Sequence, residues 1–223
     1  MKEIRSLVRE VLSESFLNEN YENLNNASEE EQLAAVQKDG YAIRFIENPS
    51  EAAQLAAVNQ DGNVIQFIEN PSEAVQLAAV KDSGYPIQFI ANPSEAVQLM
   101  AVKRNGSVIE RIYVFGYNPS EAVKLAAVQN DGTAIQFIAN PSEALQLVAV
   151  KNRVDAILYI DNPSEAVKLA AVENNGAAIR YIANPSDAIK LAAVKNSADA
   201  INYIKNPSSK VKAKADLARW MKD

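Results

Sequence analysis

The sequence predicts an all-α fold: an α-solenoid of eight 22-residue helix–turn–helix repeats, with an amphipathic N-terminal helix before them and a C-terminal capping helix after them. Three observations predict it. A phrase opening on asparagine starts at Asn26, Asn48, Asn70, Asn92, Asn118, Asn140, Asn162, Asn184 and Asn206, in steps of 22 residues except for one of 26 after Asn92. The copies share an apolar Leu-Ala-Ala-Val element followed by an Ile-x-aromatic-Ile element. Between the two, glycine or a substitute closes a polar turn. Neighbouring copies of such a unit bury each other's apolar faces, giving a long stacked interior without a single centre.

Residues 1–25 come first. Ile4, Leu7, Val8, Val11 and Leu12 share one helical face with charges opposite, which suits either a cap on the first repeat or a partner-binding helix. Charges of both signs on the polar face argue against a membrane-surface role. Charged residues interrupt the apolar ones throughout residues 1–19, unlike a secretory signal, and the segment loosely resembles leaders on phage proteins destined for the virion. The sequence "NENYENLNN" then forms a polar linker.

Residues 26–205 form the array, each repeat holding two helices. Asparagine caps the first helix, proline takes its first position and an acidic residue its third; serine as the cap is the alternative, two residues on. Glu51, Glu73, Glu95, Glu121, Glu143, Glu165 and Asp187 fill the acidic place. They complement the helix dipole, with a ladder of cation sites as the functional alternative. The following segment, as in "EAVQLAAV", is apolar around most of its girth, with Leu and Val as core and alanines such as Ala57, Ala79 and Ala171 permitting close approach. Glycine at 40, 62, 84, 106, 132 and 176 suits a left-handed C-cap. Val154 and Ala198 replace it, and Asp155 and Asp199 are expected to compensate as N-caps. The second helix is short, partly 3₁₀, with isoleucines three apart and an aromatic between them: Phe45, Phe67, Phe89, Phe137, Tyr159, Tyr181 or Tyr203. Packing explains that aromatic stripe, and stacking on bases or sugars is the alternative.

The four extra residues in "VIERIYVFGYNPS" approximate one helical turn and lengthen a helix or bulge as a loop. They crowd Tyr113, Phe115 and Tyr117 into a candidate contact patch. Residues 206–223 begin as a repeat and depart from it, with Val211, Ala215, Leu217 and Trp220 expected to cover the last repeat.

The phrase "NPSEAVQLAAVKDSGYPIQFIA" resembles an uncharacterised short helical repeat found in tandem in bacterial, phage and protist proteins. The similarity spans Asn26 to Pro207 and rests on the Asn-Pro-Ser, Leu-Ala-Ala-Val and Ile-x-aromatic-Ile elements together. It implies a binding or scaffolding array and brings no catalytic residues with it.

Composition narrows the chemistry. The chain is 48% hydrophobic and 22% charged, as folded proteins are. It has no cysteine and no histidine, which excludes disulfides, thiolate nucleophiles, Cys/His zinc sites and histidine acid–base chemistry. No apolar run is long enough to span a bilayer. The net charge of −6 argues against binding nucleic acid through its phosphates. Residues 1–100 carry 6 basic and 16 acidic side chains, and residues 101–223 carry 16 and 12, so copies are attracted front to rear.

The expected function is therefore a non-enzymatic scaffold, without cofactor, catalytic or metal site, that binds or spaces a protein partner. The alternative is a structural component, in a phage virion for example, that assembles through its ends. A cytoplasmic or virion-associated place fits better than secretion. Candidate binding residues are a polar mid-helix ladder, Gln54, Gln76, Gln98, Lys124, Gln146, Lys168 and Lys190, together with the aromatic patch and the N-terminal face.

Overall fold

Serine followed by an acidic residue and an alanine-rich apolar run starts an α-helix in every repeat. The computed structural model describes Tyr21 and residues 23–221, so the N-terminal face of Ile4, Leu7, Val8, Val11 and Leu12 lies outside the described residues. The chain divides into two compact units, Met1–Val97 and Gln98–Asp223. Helices α1 (Glu29–Lys38), α2 (Glu51–Gln60) and α3 (Glu73–Val80) belong to the first. Helix α4 (Glu95–Arg104) contains the division. Helices α5 (Ile109–Val114), α6 (Glu121–Asn130), α7 (Glu143–Asn152), α8 (Glu165–Asn174), α9 (Asp187–Asn196) and α10 (Ser209–Trp220) belong to the second. Short 3₁₀ helices alternate with them, such as Gly62–Phe67 and Gly176–Tyr181. Within each unit α-helix packs on the next α-helix and 3₁₀ helix on the next 3₁₀ helix. The fold is the all-α repeat solenoid that the periodicity predicts, without a strand among the described residues. The second helix is 3₁₀ throughout in most repeats, not in part: six residues closing on bonds such as Ile68 N–H to the Ile65 carbonyl at 3.0 Å.

The helix starts correct one expectation. Serine, the alternative cap, is the N-cap: the Oγ of Ser50, Ser72, Ser142, Ser164, Ser186 and Ser208 accepts the backbone N–H three residues on. The acidic residue is therefore the first of the helix, still inside the turn where the dipole favours it. At α1 Ser28 and Glu31 complete a reciprocal capping box, and those bonds from Ser28 lower the Glu31 pKa. The asparagine serves as a pivot. Asn70, Asn92, Asn140, Asn162, Asn184 and Asn206 have φ between 46° and 50°, the left-handed region that asparagine tolerates better than other residues with a Cβ. The proline behind it disfavours the right-handed alternative.

The helix ends correct a second. Among the repeat glycines with positive φ there is Gly84 (75°), where α3 stops early and the Gly84 N–H donates to the Val80 carbonyl at 3.1 Å. Elsewhere the glycine opens the 3₁₀ helix, and the preceding Asp39, Asp61, Asn105, Asp131 or Asn175 caps it by accepting the N–H two residues on. Glycine is required there for closeness. A Cβ on Gly106, Gly132 or Gly176 would lie 2.4–2.5 Å from the carbonyl oxygen of Ala127, Ala149 or Ala193 in the next repeat's helix. At Val154 and Ala198 the preceding Arg153 and Ser197 make no side-chain cap bond. Asp155 and Asp199 do not replace it: both lie inside the first turn, Asp155 bonded to Arg153 Nη2 at 2.8 Å.

A side chain clips the repeats together at this approach. The Asn196 amide donates to the Glu173 carbonyl at the end of α8 (2.8 Å), and its Oδ1 accepts the Gly176 N–H (2.7 Å). Asn152 does the same between Gln129 O and Gly132 N (both 2.8 Å), and Asn130 between Lys103 O and Gly106 N (2.9 and 2.7 Å). Gln60 joins Val36 O and Gly40 N at 2.6 and 3.0 Å. Two backbone groups orphaned at a helix end are satisfied by one amide from the neighbouring repeat.

The core is Val, Ala and Ile. Val75, Ala79, Val80, Val167, Ala171 and Val172 are at most 2% exposed, as are Ile65, Ile109 and Ile135. The repeat leucines are not core as expected: Leu55, Leu77, Leu147 and Leu169 are half-buried and Leu125 is exposed. The insertion lengthens a helix. α5 is α-helical and ends with Gly116 at φ 81°, the Tyr117 N–H reaching the Ile112 carbonyl at 3.1 Å and the Gly116 N–H the Tyr113 carbonyl at 2.9 Å. In α10, Val211 and Ala215 are buried as expected, whereas Leu217 and Trp220 are 46% and 77% exposed and do not cover the last repeat.

Two stability measurements follow. Asn196→Ala removes both clip bonds and is expected to lower urea-unfolding stability by about 1–3 kcal/mol; a loss within error would remove the clip from the account. Asn162→Ala should cost about 1–2 kcal/mol because alanine resists the left-handed region, while Asn162→Gly should stay near wild type.

Candidate functional site

Each candidate row from the sequence has a definite place. The acidic row is engaged in structure. Ser72 Oγ donates to Glu51 at 2.5 Å and Ser186 Oγ to Glu165 at 2.9 Å, and Ser94 and Ser164 make the same bond to Glu73 and Glu143. One hydroxyl thus caps its own helix and ties down the preceding repeat. No group of three or more acidic residues able to hold a metal ion occurs among the described residues.

The mid-helix ladder is half-buried and folded back on its own helix start. Gln54, Gln76 and Gln146 donate to the carbonyls of Pro49, Pro71 and Pro141 at 2.8, 2.9 and 2.9 Å. Lys124, Lys168 and Lys190 reach Glu121, Glu165 and Asp187 at 2.8, 3.1 and 3.4 Å, and their side chains are only 18–21% exposed. Gln98 holds the equivalent position, also half-buried. The Glu121 carboxylate raises the Lys124 pKa, and the Ser186 hydroxyl followed by Lys168 lowers that of Glu165.

In the second unit this ladder opens onto a row of grooves. Three recur in register. The first, about 620 Å³, lies among Ile138, Asn140, Pro141, Gln146 and Tyr159. The next, about 290 Å³, lies among Ile160, Asn162, Pro163, Lys168 and Tyr181. The last, about 380 Å³, lies among Ile182, Asn184, Pro185, Lys190 and Tyr203. Each has an isoleucine from the end of one repeat, and the Asn-Pro loop, ladder residue and aromatic of the next. Two sequence features considered separately, the polar ladder and the aromatic stripe, thus line one groove. Their pairing, 13 residues apart as Gln146 and Tyr159, was in the sequence of one repeat, but only its helix–turn–helix fold brings them together, with Ile138 of the preceding repeat closing the other side.

The aromatics sit at the edge and not in the core: Tyr159 and Tyr203 are 46% and 48% exposed, and Tyr181 is half-buried. The grooves differ in charge. Gln146 and Asp161 line the first, and Lys168 lines the second. Arg180, Lys190 and Lys205 line the third. The Arg180 guanidinium lies 4.5 Å from the Tyr181 ring centroid and 5.9 Å from that of Tyr203, and it donates to the Tyr181 hydroxyl.

The insertion aromatics do not form one outward patch. Tyr113 and Tyr117 are half-buried, and burial raises the Tyr113 pKa, with Lys124 and Glu121 acting on it in opposite directions. Phe115 is exposed at 52% beside Val114 at 66%, a neighbour that the aromatic pattern missed.

Comparison with protein families, characterised proteins and solved structures finds no match to this chain.

The Glu165 environment gives a direct check. A carboxylate with a lowered pKa contributes stability above its unfolded pKa and loses it as pH falls through the folded value. Carboxyl NMR titration should therefore place Glu165 below the usual glutamate midpoint, and Ser186→Ala should move it upward. An unmoved midpoint would mean that the inter-repeat bond does not form.

Proposed function

We propose that the chain is a non-enzymatic scaffold whose groove row holds an extended segment of a partner protein. The observation that carries this reading is the recurrence of one groove, with the same mixture of apolar side, aromatic edge and polar ladder, at Tyr159, Tyr181 and Tyr203. Enzyme pockets converge several chemical groups on one place, whereas a repeated shallow lining offers equivalent contacts to successive parts of a linear ligand. Edge aromatics supply contact area at little entropic cost. The carboxylates that an enzymatic reading would need already serve the inter-repeat bonds.

A second reading, assembly of copies through their ends, is favoured by one observation. Leu217 and Trp220 of α10 and Met221 just past its end are 46%, 77% and 73% exposed, and exposed apolar clusters of this kind mark contact surfaces.

One experiment separates the two. The tagged full chain is compared with a Tyr159→Ala/Tyr181→Ala/Tyr203→Ala variant and with Leu217→Ser/Trp220→Ser, all checked for native circular dichroism. The scaffold reading expects a co-purifying protein to be lost from the groove variant and retained by the α10 variant. Concentration-dependent mass abolished by the α10 variant alone, with no partner sensitive to the grooves, would favour assembly instead.

A further inference from the structure

The three grooves have the same construction and different charge, and the difference is directional. Lining residues are neutral and acidic at the first groove, carry one lysine at the second and three cations at the third. At the third groove no described lining residue carries a carboxylate. Lys205 pairs with no carboxylate among the described residues, and Lys190 has Asp187 at the long distance of 3.4 Å. Arg180 is held by ring faces and a phenol, contacts that leave its charge uncompensated. A partly enclosed groove with three cations and no lining anion has a positive field for which an acidic group is the complement.

Spacing restricts the ligand further. Packed helices lie roughly 8–10 Å apart, which sets the step from one groove to the next. A polyproline II segment has three residues per turn and a rise of about 3.1 Å per residue, so it presents the same face about every 9 Å. Every third side chain of such a segment meets successive grooves. Aromatic edges beside apolar hollows are also the surface that extended proline-containing segments dock on.

Building on the scaffold reading, we propose that the grooves at Tyr159, Tyr181 and Tyr203 bind an extended, polyproline II-like peptide segment whose every third residue is read, with acidic residues seated at the Arg180–Lys190–Lys205 groove. Nucleic acid is a poorer fit. The cations are concentrated at one end, three in the last groove and one in the second, and Asp161 lines the first groove of the row.

The test uses the full chain and fluorescence anisotropy with three labelled peptides: (Pro-Pro-Glu)₄, (Pro-Pro-Gln)₄ and (Pro-Glu)₆. The (Pro-Pro-Glu)₄ peptide is expected to bind at least tenfold more tightly than either of the others, and to weaken several-fold when salt is raised from 50 to 300 mM. Lys190→Gln/Lys205→Gln should erase the preference for glutamate over glutamine, and Tyr181→Ala/Tyr203→Ala should weaken both Pro-Pro peptides. Equal affinity for the glutamate and glutamine peptides overturns the charge assignment, and equal affinity for (Pro-Glu)₆ overturns the three-residue register. Tighter binding of a labelled oligothymidylate than of any peptide overturns the peptide class. If the peptides fail while the co-purifying partner is still lost from the groove variant, the ligand proposal falls and the scaffold reading stands. If both fail, the scaffold reading falls with it.

Discussion

The approach of backbone to backbone between consecutive repeats is the constraint on which the rest of the structure depends. The start of one 3₁₀ helix lies against an alanine carbonyl of the next α-helix, so close that a Cβ at Gly106, Gly132 or Gly176 would overlap it. At that distance the N–H of the glycine and the last carbonyls of its own helix cannot be left to water. The amide of Asn130, Asn152 or Asn196 reaches back and satisfies both. A second tie lies at the opposite end of the helix, where one serine hydroxyl caps its own helix and bonds the preceding repeat's glutamate. Both helix ends are therefore held in register, and the Val, Ala and Ile side chains between them meet in the same way at each step.

Register is also what makes a function conceivable. The groove at each tyrosine is assembled from two repeats: Ile138, Ile160 or Ile182 ends one, and the Asn-Pro loop, ladder residue and aromatic come from its successor. A shift between repeats would separate the walls of every groove. The left-handed asparagines matter for the same reason, since they set the direction in which the chain enters the loop that forms one wall. Substitutions at the ladder position, glutamine in one repeat and lysine in another, then change the charge of a groove while its isoleucine, Asn-Pro and aromatic walls recur.

Much of the fold was legible because periodicity reports packing. A 22-residue recurrence of Leu-Ala-Ala-Val and Ile-x-aromatic-Ile identifies the solenoid, and the buried Val75, Ala79, Val80 and Ile65 confirm which face is core. Serine and asparagine were misplaced because both are good helix caps, and their φ values distinguish them only in three dimensions. The glycines were misread for a related reason: a glycine after a helix can supply a left-handed cap or an absent Cβ, and the sequence is the same for both. The leucines look like core by hydrophobicity, yet they lie at the half-exposed edge because valine and alanine fill the space between helices. The clip at Gln60, Asn130, Asn152 and Asn196 had a visible signal, an amide recurring at one repeat position, but polar residues before a turn are read by default as solvated. The grooves were least legible, being a property of two repeats together.

Native-state hydrogen exchange of the Gly132 and Gly176 amides tests the central claim most directly. Both glycines follow a helix end, where an N–H bonded to water would exchange quickly. If the next repeat's asparagine holds them, they should be protected to the same degree as the interior amides of α7 and α9, and exchange through the same cooperative opening. Exchange at the rate of an exposed turn would contradict the account, because the repeats would then be joined by side-chain packing alone.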